Sequence, residues 1–156
     1  MGIESPMLSA FVARMATPEI TLASWGSLVY PISLAIEGPI IMLLTASTAL
    51  SENRKAYNKL FKYMVIISVV LSLLHIVLAF TPLFYFLADN LMNIPNELLE
   101  PGRIGLQIMT PWTIMIAWRR LNQGVMIKYG NSKSVAIGTV IRLVALVFVL
   151  SYGKWF

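Results

Sequence analysis

The chain has no cysteine and a single histidine among its 156 residues. Without cysteine there is no disulfide framework, no thiolate nucleophile and no thiolate metal site, and nothing follows about redox compartment. One histidine, with no HExxH, GxSxG or P-loop pattern, leaves no nucleophile–base pair, zinc site or phosphate loop in view. The expectation is therefore no enzyme, no cofactor and no metal. Charge is scarce too. Only 12% of residues are charged, against roughly 25% in soluble domains, which is too little polar surface to coat a water-facing globule.

What is abundant is apolar side chain, at 58% of residues with a mean hydropathy of +0.76. This composition implies an all-α integral membrane protein, one transmembrane domain over residues 1–156. A span needs about 20 apolar residues to cross a hydrocarbon core roughly 30 Å thick. About four segments meet or approach that test: residues 20–50 with one charge, Glu37; 63–88, with His75 and no Asp, Glu, Lys or Arg; 104–124, interrupted by Pro111; and 134–152, with Arg142 in its middle. Residues 1–13 are apolar but too short to span alone, and read as a partial helix. No basic n-region or small-residue cleavage site marks a signal peptide there.

The formal net charge of +5 does not point to nucleic acid, because the basic residues collect between the apolar runs. Arg54, Lys55, Lys59 and Lys62 lie in or beside the first such loop (51–62). Arg119, Arg120, Lys128 and Lys133 lie in the next (119–133). The opposite connections are poor in basic residues: Arg14 near Glu19, then Asp89, Glu97 and Glu100 before Arg103. The positive-inside rule places both basic loops in the cytoplasm of a multi-pass cell-membrane protein, in bacteria the inner membrane. The Arg54–Lys62 cluster also suits anionic lipid head groups, although orientation explains it more simply. Trp25, Tyr30, Tyr85, Trp112, Trp118, Tyr129, Tyr152 and Trp155 mostly flank the apolar centres, as an aromatic belt does.

Ionisable groups near a bilayer centre cost about 2.5–3.5 kcal/mol on insertion scales for Asp, Lys or Arg. Glu37, His75 and Arg142 each fall near the middle of a span, on stripes of small or polar residues at helical spacing. The stripes are Gly26–Tyr30–Ser33–Glu37, Ser68–Ser72–His75–Ala79–Pro82 and Asn131–Ser134–Gly138–Arg142–Ala145. They are expected to face one another or a shared wet cavity. One reading makes Glu37 and Arg142 a structural ion pair with His75 as a hydrogen-bonding neighbour. The other makes these three residues a proton or substrate site. Pro31 and Pro39 withhold donors from the carbonyls of Ser27 and Ala35, so the first span should bend, either statically or as a moving hinge.

A short echo links Ile3-Glu4-Ser5-Pro6-Met7-Leu8 to Ile36-Glu37-Gly38-Pro39-Ile40-Ile41. It suggests that Glu4, with its bend at Pro6, is the counterpart of Glu37 on a helix whose first half is missing.

The order of features is recognisable. Met42-Leu43-Leu44-Thr45-Ala46-Ser47-Thr48-Ala49-Leu50 leads into the first basic loop. Ile94-Pro95-Asn96-Glu97-Leu98-Leu99-Glu100 and the mid-helix Pro111 follow. Then come Trp118-Arg119-Arg120-Leu121-Asn122-Gln123-Gly124 and Lys128-Tyr129-Gly130-Asn131-Ser132. The sequence resembles the N-terminal half of the MATE-like transporters, the multidrug/oligosaccharidyl-lipid/polysaccharide exporter superfamily. Among its branches it is most similar to prokaryotic relatives of the progressive ankylosis protein. The resemblance implies part of a six-helix lobe and a secondary transporter working by alternating access. In such transporters an acid beside a proline bend on the first helix takes part in cation coupling, a position that Glu4 with Pro6 matches. The start of the first helix, the sixth helix and the second lobe have no counterpart here. The expectation is a fragment of a longer reading frame, or a chain that associates with itself or with a second lobe.

The function expected is ion-gradient-coupled export of a small organic or anionic solute, with H+ or Na+ as coupling cation and the lipid bilayer as the other partner. The rival is a non-transporting membrane scaffold or assembly partner whose midplane charges only hold helices together.

Overall fold

A computed structural model describes residues 17–153. The proposed partial helix at 1–13, with Glu4 and Pro6, lies outside the described residues. Within them every regular element is helical.

Helix α1 (Pro18–Ser24) begins with a proline at its start and Glu19 in its first turn. Both suit a helix N-terminus, where a missing N–H costs nothing and negative charge is favoured. The chain then widens into a π-helical turn, Trp25–Val29, in which the Tyr30 amide bonds back five residues to the Trp25 carbonyl. The widening falls just before Pro31, whose absent N–H breaks the α-helical ladder. Helix α2 (Tyr30–Ile41) carries Glu37 and Pro39. A break at Met42 separates it from α3 (Leu43–Leu50). Together these elements make one apolar helical run, Pro18–Leu50.

Helix α4 (Arg54–Phe80) is 27 residues long. The Asn53 side chain caps its start, accepting from the Ala56 amide at 2.9 Å. It ends at Thr81, which is extended (φ −104°, ψ 166°), the conformation that a following proline imposes. The second apolar segment therefore does not run on as one helix to residue 88. Pro82 instead opens the short α5 (Leu83–Tyr85) and a second π-helical turn, Phe86–Leu91. The chain leaves that turn through Asn93 in the left-handed region (φ 52°).

The third segment divides at Thr110 and Pro111 into α6 (Asn96–Met109) and α7 (Trp112–Lys128), of 14 and 17 residues. A left-handed Gly130 (φ 74°) then turns the chain into α8 (Ser132–Gly153). Among the described residues three helical runs are long and apolar enough to cross a membrane, Pro18–Leu50, Arg54–Phe80 and, within α8, Ser132–Val149; the expected segment at 104–124, divided at Pro111, is not one of them.

Helix α7 is the hub, packing against α2, α3, α4 and α8. Its tightest neighbour is α3. A Cβ on Gly124 would lie 2.5 Å from the Leu44 carbonyl oxygen and would collide with Ser47, so only glycine permits this approach of backbones, as small residues do in membrane bundles. Polar contacts fasten the same end. Thr48 donates to the Leu44 and Gly124 carbonyls at 2.8 and 3.3 Å. Lys128 donates to the Ala49 carbonyl at 2.7 Å, and Tyr129 to that of Ser51 at 2.8 Å. At the opposite end Gly102 and Gly105 of α6 sit against Leu28 and Val29 of the first π-helical turn. Arg103 there closes the C-terminus of α4, donating to the Ala79 and Phe80 carbonyls at 3.2 and 3.3 Å and to the Tyr85 hydroxyl at 3.0 Å.

Candidate functional site

Two apolar clusters fill the interior. One gathers Leu28, Ile32, Ile36, Leu78, Phe84 and Leu106. The other gathers Ile40, Leu43, Met64, Ile116 and Leu121. Along α2 the change from one cluster to the other occurs at Glu37, along α4 around Ser72 and His75, and between α6 and α7 at Pro111 and Thr113. A layer of buried polar side chains therefore crosses the bundle at this level, among helices that pack directly on one another.

Glu37 is 2% exposed. Trp112 and Arg120 are both close enough to act on its carboxylate. Among the described residues its Oε1 is buried without a hydrogen-bond partner, as are the hydroxyls of Ser33 on α2 and Ser72 on α4. A buried carboxylate oxygen left unpaired costs several kcal/mol. Folding alone gains nothing from it, since glutamine would fill the same space.

His75 differs. It is wholly buried, and both ring nitrogens are engaged: Nε2 with the Leu106 carbonyl at 3.1 Å and Nδ1 with the Thr113 hydroxyl at 3.3 Å. A carbonyl only accepts, so Nε2 carries a proton. The Leu106 carbonyl is available because α6 tightens before Pro111, with the Thr110 amide turning to Gln107 instead. His75 thus fills a gap that the proline break opens between α6 and α7.

Arg142 lies elsewhere. It lines a groove of about 270 Å³ between α7 and α8, with Trp118, Asn122, Gln123, Ser134 and Thr139. Among the described residues the charge acting on Glu37 is that of Arg120 on α7, not the Arg142 expected from the sequence. The stripes fare differently as well. Ser68, Ser72, His75 and Ala79 are all buried. On the first span Ser33 and Glu37 are buried, whereas Gly26 and Tyr30 are exposed; the extra residue of the π-helical turn rotates what precedes α2 by about 100°, which accounts for Gly26. Ser134, Gly138 and Arg142 face the groove against α7. The bends also differ from expectation in detail. The first span is distorted before Pro31 and just beyond Pro39, and Pro111 immediately precedes α7.

Trp112 and Arg120 escaped the sequence reading because one was counted with the aromatic belt and the other with the basic loop. A signal was present. Thr113, Ala117, Arg120 and Gly124 recur at helical spacing, which sets Arg120 on the small-residue face that α7 turns inward.

The profile of the progressive ankylosis protein (ANKH) family matches residues 9–153. No curated protein and no solved structure matches the chain. A membrane-embedded helical chain, matched over nearly its whole length by that profile, belongs to the progressive ankylosis protein (ANKH) family.

Proposed function

We propose that the chain is a membrane transporter of the MATE-like kind, or a lobe of one, exporting a small organic or anionic solute by alternating access at the expense of a proton or sodium gradient. Its site is Glu37 with Trp112 and Arg120, rather than an enzymatic centre. The observation that carries this reading is the unpaired Oε1 of a fully buried Glu37, beside Ser33 and Ser72 hydroxyls that also lack partners. A buried carboxylate beside Trp112 with an open oxygen is suited to take up and release H+ or Na+. Pro39 and the break at Met42 lie within two turns of it, at a place where the ladder is already weakened and the helix can bend. Arg120 supplies a positive charge that an anionic solute and the ionised Glu37 would share. Arg142, in its own groove, belongs to the path of such a solute, and His75 to the wall. The second lobe, or a second copy of the chain, would complete the cavity.

The test is efflux from proteoliposomes made with the purified chain and loaded with labelled phosphate and citrate. An inward proton or sodium gradient should accelerate efflux of one of these anions, ionophores that collapse the gradient should remove the acceleration, and Glu37→Gln should abolish it. Equal efflux with and without a gradient, or undiminished efflux in Glu37→Gln, would refute the reading.

A further inference from the structure

The first three turns of α4 carry four cations for which no hydrogen bond or ion pair is found among the described residues. Arg54, Lys55, Lys59 and Lys62 are all exposed, and no acidic residue occupies the first turn of the helix. Cations at a helix N-terminus oppose the macrodipole and cost helix stability. One of the orphan amides there, that of Ala56, is served by the Asn53 side chain. No acidic residue within the first turn offsets the cluster, and Glu52 just before the cap is the one carboxylate beside it in sequence, so the cluster is left open to an anion from outside.

The positions of the lysines identify that anion. Lys55, Lys59 and Lys62 follow at intervals of four and three residues, so they share one face of α4. The same face continues through Ile66, Val69 and Leu73, all exposed. At 1.5 Å per residue the uncharged part of the helix, Tyr63–Phe80, is about 27 Å long, which matches the hydrocarbon core. Lys62 then sits at its edge beside the exposed Tyr63, and Lys59 and Lys55 stand one and two turns farther out, at head-group depth. One continuous face thus offers a cationic ladder above an apolar track.

We infer that this face of α4 is a binding surface for an anionic phospholipid, its phosphodiester held by Lys55, Lys59 and Lys62 and its acyl chain lying along Ile66, Val69 and Leu73. Head group and tail are recognised together, which a free anion or a soluble acidic partner could not satisfy.

Titration of phosphatidylglycerol and phosphatidylcholine into the chain in neutral detergent, with bound lipid counted by native mass spectrometry, tests this. Each lysine near an anionic head group is worth about five-fold in binding. Phosphatidylglycerol should therefore be preferred by on the order of 100-fold at low salt, less as salt rises. The triple variant Lys55→Gln, Lys59→Gln, Lys62→Gln should lose most of that preference, the triple change to arginine should keep it, and Lys133→Gln, remote in sequence from this face, should leave it unchanged. Should the triple glutamine variant not purify, Lys59→Gln alone is expected to lose about five-fold. A preference that survives the glutamine changes, or that Lys133→Gln removes equally well, would overturn the inference.

Discussion

His75 and Glu37 lie in the same polar layer, on helices that pack together, and both are buried. His75 has a partner for each nitrogen. Glu37 has a buried oxygen with none. The first arrangement is what a bundle needs to hold a proline break shut. The second leaves an acceptor unused, which is where the proposed function puts a small cation. Two buried polar groups in one layer thus differ in their hydrogen-bond inventories.

The comparison predicts that the two residues fail in opposite ways. His75→Ala should have the largest effect on stability, about 3 kcal/mol, because it leaves a cavity and leaves the Leu106 carbonyl only the long 3.4 Å bond from the Thr110 hydroxyl. Unfolding in a denaturing detergent measures this, and a loss below about 1 kcal/mol would mean that His75 fastens nothing. Gly124→Ala should follow at about 2 kcal/mol, since its Cβ forces α3 and α7 apart at the Leu44 carbonyl. Restoring space with Ser47→Gly in the same chain should recover part of that loss, and failure of the pair to couple would show that the close approach is not the cause. Glu37→Gln should cost least, under about 1 kcal/mol, because glutamine keeps the volume and an oxygen acceptor beside Trp112. A loss of 3–5 kcal/mol there, repaired by also replacing Arg120 with glutamine, would make the pair structural and favour the scaffold reading.

Much of this contrast could be read in advance from spacing, and the remainder could not. Hydropathy located the runs that became Pro18–Leu50 and Arg54–Phe80, and the buried face of α4 from Ser68 to Ala79 has the expected period. Glu37 was visible as a lone carboxylate in an apolar run. Its neighbours were not, because which arginine faces it depends on how α2 crosses α7, and crossing angles come from packing rather than from sequence spacing. The π-helical turns were invisible for a related reason. Periodicity assumes 3.6 residues per turn throughout, and one inserted residue at Trp25–Val29 moves Gly26 off the stripe. Similarly, Pro111 announced a bend, but the donor that would serve the Leu106 carbonyl, His75, comes from 31 residues away.

The central claim, that Glu37 exchanges a cation while His75 only fastens, is tested most directly by infrared difference spectroscopy of the purified chain between sodium-free and sodium-loaded states and across pH steps. A carboxyl band that rises and falls with one of these changes is expected, absent in Glu37→Gln and retained in His75→Gln. A spectrum in which no carboxyl band responds, or in which the band persists in Glu37→Gln, would contradict the account.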